Sequence, residues 1–235
     1  MEAIRIYEYK DFVRALMAAG FSAGSCDVTS GFSLLTWGWA AESPYETPVQ
    51  WHSGNPETDP WEWRMRVLEE EQGIAYGKGF LRKTGYMTRE WAPYFIAARR
   101  GGQSLAEAYE DGTISHYAKR IYDVMAAQGA MPVHELKPQI GFVRDDKSAF
   151  DRALIELQMR MYITVCGRKQ RVSMKGEEHG WASTAFCTME EFWGDEVFVQ
   201  ADALDPKEAE AALVSRVREL NPLVDAKKAR KFILG

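Results

Sequence analysis

The pattern of apolar and polar positions changes character along residues 115–188. Ser115, a residue type that favours helix N-caps, is followed by apolar residues at helical spacing: Tyr117, Ile121, Val124 and Met125. A short second helix is predicted at about 133–140. A continuous apolar stripe then marks a third helix: Phe150, Leu154, Leu157 and Met161. The pattern predicts three successive helices.

A different pattern follows the third helix. Residues 161–166 are mostly β-branched or aromatic, which predicts a strand ending at Gly167, and residues 181–186 are a candidate return strand. A polar, basic loop separates the two. The order helix, short helix, long helix and basic-tipped hairpin is typical of a winged helix, whose third helix usually enters the DNA major groove.

Helical spacing also dominates the chain outside this stretch. Helices are predicted at 7–19, 60–71, 91–100, 104–111, 189–193, 205–220 and 225–234. A hairpin or extended segment is predicted at 75–87, and a further strand at 196–199. Asp59 and Pro60 have the residue types of a helix N-cap and first turn. Met17 and Trp61 are expected to point inward.

Together these elements predict an α+β fold with a winged helix-turn-helix core. Residues 1–113 would form an N-terminal, mixed but mostly helical region, which is compatible with a degenerate second winged helix. Residues 114–198 would form the winged-helix domain, and residues 199–235 a C-terminal helical appendage.

Charge is distributed unevenly along the 235 residues. The net charge of −5 argues against a protein that coats nucleic acid over its whole surface. Residues 115–175, however, hold 11 Lys and Arg against 6 Asp and Glu, whereas the segments on either side are both acidic. The basic island favours contact between the winged helix and DNA; a solvated surface of mixed charge is the alternative.

Cysteine and histidine positions exclude several kinds of site. Three scattered cysteines fit reduced thiols in a cytoplasm, with Cys166 in the core and Cys187 half exposed. The four histidines are scattered, so neither a metal site nor a cofactor is expected. The N-terminus has no signal-peptide pattern and no apolar run is long enough to span a bilayer, so we expect a cytoplasmic protein without a membrane partner.

Candidate DNA-binding residues lie in two places. Lys147 and Arg152 fall off the apolar stripe of the third helix, beside the acidic Asp151 and Glu156, which would repel phosphate. The hairpin tip carries four cations that can neutralise phosphates without carrying sequence information: Arg168, Lys169, Arg171 and Lys175.

Two runs resemble a known family. Gly112–Tyr122, GTISHYAKRIY, resembles the opening G-x-(I/L)-S-x-x-A-K-x-I-Y of AlkZ-related winged-helix proteins. The run 150–158, a strand ending in Gly167, the later Gly180-Trp181 and the upstream segment 90–95 resemble the same group, over about residues 60–195. AlkZ/YcaQ-type proteins are DNA glycosylases built from tandem winged helices, so the resemblance implies binding of double-stranded DNA and a role in repair.

The catalytic signature of that family is Gln-x-Gln or Gln-x-Asp, and we expect this chain to lack it. The nearest local analogue is Gln50-Trp51-His52, in the long N-terminal loop. Gln50 and His52 are candidate catalytic residues that would position or activate a water, and Trp51 is a candidate for stacking on an extruded base. A surface loop with a packing tryptophan is the alternative.

Two other functions remain open at this point. A non-enzymatic transcription regulator would use the same winged-helix surface, but would need a dimer to bind two half-sites. A protein-interaction or small-ligand module would not touch DNA at all; the acidic residues of the third helix and the net charge favour it.

Overall fold

A computed structural model of the chain describes residues 4–172 and 177–235. Its six strands are β1 (Phe21–Ala23), β2 (Ile74–Phe80), β3 (Lys83–Thr88), β4 (Met131–Pro132), β5 (Ile163–Val172) and β6 (Glu178–Thr188). They form one antiparallel sheet in the order β1-β3-β2-β5-β6-β4. The pair Tyr76–Val165 joins β2 to β5, so it connects the two halves of the sheet.

Eleven α-helices surround this sheet in the described ranges. They are α1 (Tyr9–Ala19), α2 (Pro60–Glu70), α3 (Ala92–Arg100), α4 (Leu105–Glu110), α5 (His116–Gln128), α6 (Val133–Gln139), α7 (Lys147–Met159), α8 (Met189–Trp193), α9 (Asp195–Asp202), α10 (Pro206–Leu220) and α11 (Ala226–Leu234). A 3-10 turn, Arg144–Asp146, leads into α7. The chain is therefore a mixed α+β protein, as predicted.

Alternate residues of the central strands face two different layers. Tyr76 and Tyr86 belong to one apolar cluster, with helices α1, α2 and α4–α7. Ala75 and Met87 belong to another, with α3 and α8–α11. Because neighbouring side chains of a strand point to opposite faces, the sheet lies between these two helical layers.

The element order predicted for residues 115–188 is confirmed. Three helices, α5, α6 and α7, precede the hairpin of β5 and β6. The hydroxyl of Ser115 accepts a hydrogen bond from the backbone N–H of Ala118, as expected of an N-cap. The short β4, between α5 and α6, pairs with β6. The sequence did not predict this strand, because two residues are too few to show an alternating apolar pattern.

The strand predicted at 196–199 is wrong, because these residues lie inside α9. Asp195 and Glu196 occupy its first turn, where acidic side chains interact favourably with the helix dipole. Val197 and Ala201, four positions apart, are buried on one face. A short apolar run does not distinguish a strand from a buried helix.

Two side chains expected to point inward are exposed. Met17 is 48% exposed and Trp61 is 44% exposed. Helix α2 buries Trp63 completely instead, and its indole Nε1 donates to the carbonyl oxygen of Pro56 at 3.1 Å. The guanidinium of Arg64 covers the exposed Trp61 ring, 3.2 Å from its centroid.

The sheet and the helical layers cross the predicted domain boundaries. Strands β1–β3 come from residues 1–113 and β4–β6 from residues 114–198, yet they share one sheet. Helix α10, from the region predicted as an appendage, packs against α3. The three-part division remains a prediction.

Candidate nucleic-acid interface

The outer half of the β5–β6 hairpin projects beyond the packed core. Ile163 and Phe186 are buried at its base, whereas residues 168, 169, 171 and 172 of β5 are exposed. The register shifts between Lys169 and Arg171, and the side-chain nitrogen of Gln170 donates to the carbonyl oxygen of Gly180 at 2.6 Å. We call residues 168–172 and 178–184 the wing hairpin. Lys175, predicted at its tip, lies outside the described residues.

The cations of the wing hairpin differ in their partners. The Nζ of Lys169 lies 2.8 Å from the Oε1 of Glu135 on α6. Arg168 and Arg171 form no ion pair with any residue that the structure describes. Two of the predicted phosphate contacts therefore have unneutralised charge, and the third is already partly neutralised.

A groove of about 570 Å³ runs between the wing hairpin and α6. Arg171 and Val172 line one side, and His134 and Lys137 line the other. The Nζ of Lys137 lies 4.5 Å from the ring centroid of Phe142, within cation–π range. The structure thus places Arg171 beside Lys137, a cation that the sequence analysis did not single out.

Trp181, in β6, is the most exposed large apolar side chain in the described ranges, at 94%. It follows Gly180, whose φ of 72° belongs to the left-handed region, at the irregular part of the hairpin. Val172, on the opposite strand, is 57% exposed. Sequence reasoning assigned Trp181 to a strand and to the family resemblance, but to no binding role; an aromatic residue in a polar hairpin was the available signal of one.

Helix α7 presents Lys147 and Arg152 to solvent, as its apolar stripe predicted. Glu156 is occupied: its Oε1 accepts from the backbone N–H of Ser115 at 3.0 Å, and its Oε2 from the Ser115 hydroxyl at 2.6 Å. Asp151 is exposed. Asp151 and Glu156 were both expected to repel phosphate. Glu156 also has a structural role, because it links α7 to the start of α5.

The loop that contains Gln50, Trp51 and His52 is organised by Asp59. The Asp59 carboxylate is fully buried and accepts three backbone N–H bonds, from residues 52, 54 and 61, at 2.8–2.9 Å. His52 adopts a left-handed φ of 61°, and its ring lies 4.7 Å from that of Trp61. This loop is therefore held by hydrogen bonds to one buried carboxylate.

The three predicted residues of this loop differ in exposure. Gln50 is exposed, and so is His52. Trp51 is half-buried against the first apolar cluster, and its buried indole nitrogen has no hydrogen-bond partner within the described ranges. None of the three lines the groove beside the wing hairpin. Their catalytic and stacking roles stay predictions.

Cys166 and Cys187 are neighbours, with exposures opposite to those expected. Cys187 is buried and Cys166 is half-buried in the irregular part of β5. The Cys187 thiol donates a hydrogen bond to Cys166, which lowers the pKa of Cys166 and raises that of Cys187. No three His, Cys, Asp or Glu side chains among the described residues are grouped to hold a metal ion.

The family model described as "AlkZ related" matches residues 6–234. The chain belongs to the AlkZ-related family. The match extends well beyond residues 60–195, which carried the resemblance, and includes the loop around Asp59. Neither the curated proteins nor the solved structures provide a match.

The AlkZ-related chain contains one triplet with the letters of the family signature, contrary to expectation: Gln200-Ala201-Asp202. It lies in α9, with Ala201 buried and the other two residues exposed. Residues two positions apart on a helix project about 200° apart, so these side chains do not converge on one water. The triplet matches the pattern without forming a paired site.

In the part of the chain that the structure covers, no helix of this AlkZ-related protein combines the length and the apolar character needed to cross a bilayer.

Proposed function

We propose that this AlkZ-related protein binds double-stranded DNA through residues 114–198, folded as a winged helix. The proposal is carried by the wing hairpin, where Arg168 and Arg171 have no ion pair with a described residue and Trp181 is 94% exposed. Cations neutralise phosphates, and an exposed aromatic ring stacks on bases, so this combination suits nucleic acid.

Helix α7 supplies a second contact surface in this proposal. Lys147 and Arg152 are exposed on the helix that, in a winged helix, enters the major groove. Acidic Asp151 on the same face limits its attraction for phosphate. The wing hairpin therefore supplies most of the charge-dependent affinity, and α7 mainly sets the orientation.

Fluorescence anisotropy with labelled duplexes tests DNA binding directly. One duplex is intact and the other carries an abasic-site analogue, and both are titrated at about 50 and 200 mM salt. We expect salt-sensitive binding that favours the abasic duplex. Absence of binding at low salt would contradict the proposal and favour a protein- or ligand-binding module. A dimer that prefers one undamaged sequence would favour a transcription regulator.

Excision of damaged bases is the specific repair reaction that we propose for this protein. Gln50 and His52 would orient the attacking water, and Trp51 would stack on the extruded base. Membership of the AlkZ-related family supports base excision as the reaction, and the choice of these three residues rests on the sequence of their loop alone. Release of an alkylated purine from duplex DNA, measured with and without the Q50A/H52A pair, tests it. An unchanged excision rate would remove both residues from the mechanism.

A further inference from the structure

A cleft of about 880 Å³ lies between α7 and the ends of α3 and α11. Its lining includes three arginines: Arg82 from the turn between β2 and β3, Arg152 from α7, and Arg160 from the C-terminal end of α7. None of these three guanidinium groups has an ion pair or a side-chain hydrogen bond to the described residues. The fold thus collects three unpaired positive charges around one concave surface.

Acidic side chains are scarce in the lining of the cleft, as far as the described residues show it. Glu156 is the one acidic side chain in the lining of this described cleft. Both of its oxygens accept hydrogen bonds from Ser115, which fixes the carboxylate against the start of α5. Glu156 counts as one negative charge, so the three arginines still leave the lining side chains with a net positive charge.

Arg99 adds a fourth positive charge at the cleft wall. Its guanidinium donates to the carbonyl oxygens of Gly79 at 2.6 Å, Met159 at 3.0 Å and Ile233 at 2.8 Å. No carboxylate in the described ranges pairs with it. Burial lowers the pKa of Arg99 to about 9, so the group remains charged at neutral pH.

The turn that carries Arg82 is held in a costly conformation. Leu81 and Arg82, between β2 and β3, have φ values of 49° and 61°. Two-residue hairpin turns of this kind favour Asn-Gly, and each bulky residue there costs about 1 kcal/mol or more. Leu81 packs against the second apolar cluster, whereas the exposed Arg82 lines the cleft. Strain of this kind is typical of functional positions.

We infer that this cleft binds phosphate groups of a nucleic-acid strand through Arg82, Arg152 and Arg160. Guanidinium groups bind phosphate oxygens in a bidentate manner, and the cleft volume lies in the usual range of ligand sites. The inference rests on the proposed function in that the strand would belong to the DNA held by the wing hairpin. It extends the DNA path to Arg82, which lies outside residues 114–198.

The test removes two cleft charges and leaves the proposed winged-helix contacts intact. R82Q/R160Q is compared with K227Q/K228Q, which removes two exposed charges from the first turn of α11. For the duplex we expect R82Q/R160Q to reduce affinity about tenfold at low salt. The salt slope, which is the slope of the logarithm of the binding constant against the logarithm of the salt concentration, should flatten by up to about 1.8. The control should behave as wild type. R82K/R160K, which keeps the charge, should restore the slope.

Four outcomes bear on this inference and on the proposed function. Wild-type duplex binding that R82Q/R160Q does not alter would overturn the cleft assignment alone. Cleft-dependent binding of a 5′-phosphorylated thymidine pentanucleotide, without duplex binding, would support the cleft and contradict the proposed function. No binding of either probe would overturn both. Cleft-dependent binding of inorganic phosphate, with unchanged affinity for both DNA probes, would assign the cleft to free phosphate and overturn the strand assignment.

Discussion

The carboxylate of Glu156 on α7 accepts two hydrogen bonds from Ser115, the N-cap residue of α5. The backbone N–H of Ser115 donates at 3.0 Å and its hydroxyl donates at 2.6 Å. Because the Ser115 hydroxyl in turn accepts from the N–H of Ala118, this contact joins two of the three helices before the hairpin. Glu156→Ala should therefore destabilise the fold. We expect a loss of about 1 kcal/mol, since the carboxylate is half-exposed.

Thermal unfolding measures this change. For a chain of this size, about 1 kcal/mol corresponds to a fall in Tm of about 2–4 °C. Asp151→Ala is the matched control, because it removes an exposed acid from the same helix. Equal Tm values for the two variants would show that the contact between Glu156 and Ser115 adds no stability.

Charge reversal in the wing hairpin should weaken binding to double-stranded DNA. R168E/R171E removes two cations that have no ion pair among the described residues, so we expect the salt slope to flatten by at least about 1.8. K169E should have a smaller effect per charge, because Glu135 already partly neutralises Lys169. Anisotropy titrations over a range of salt concentrations measure both. An unchanged affinity for R168E/R171E would exclude the wing hairpin from the interface.

Trp181→Ala should lower affinity for an abasic duplex more than for an intact one. The loss of one stacking contact corresponds to about tenfold, and the salt slope should not change because tryptophan carries no charge. Trp39→Ala is the control, since Trp39 is 76% exposed but lies in the loop between β1 and α2. If both variants bind the abasic duplex as the wild type does, Trp181 does not stack on DNA.

Asp59→Ala should destabilise the loop that carries Gln50 and His52. The buried carboxylate accepts three backbone N–H bonds, and its removal leaves those donors without partners. We expect a loss of about 3 kcal/mol in chemical denaturation. Asp59→Asn keeps part of the acceptor capacity and should lose less. A loss below about 0.5 kcal/mol for Asp59→Ala would mean that water replaces the carboxylate.

Cys166 should react with iodoacetamide before the other two thiols. The hydrogen bond from Cys187 lowers the pKa of Cys166, so its thiolate fraction near neutral pH is larger than that of an ordinary thiol. Burial and the negative charge of Asp27 raise the pKa of Cys26 to about 11. The pKa of Cys187 is also raised, by its hydrogen bond to Cys166 and by burial. Mass spectrometry after timed labelling measures the order at several pH values.

A second variant tests the cause of that reactivity. Cys187→Ala removes the donor, so the pKa of Cys166 should rise and labelling at pH 7–8 should slow, approaching the wild-type rate only at higher pH. Faster labelling of Cys26 than of Cys166 in the wild type would contradict the assignment of the low pKa.

Much of the local structure was predictable from residues close together in the chain. Ser115 and Asp59 cap helices as their residue types indicated, because a cap bonds to N–H groups two or three residues away. The stripe through α7 buries Phe150 and Leu157 as its spacing required. The cations of the wing hairpin were equally visible, because a polar loop between two strand patterns is itself a local signal.

The sequence by itself thus determined the three helices and the hairpin of residues 115–188 and the approximate ends of most other helices, since these depend on contacts within about one helical turn. Only the tertiary structure decided that α2 buries Trp63 and exposes Trp61, that 196–199 is helical, and that Cys166 meets Cys187. It also gathered the arginines of the cleft from three separate segments. Which side chains are buried, and which residues from separate segments meet, depends on packing between residues that are distant in the chain. The local pattern of apolar and polar residues does not contain that information.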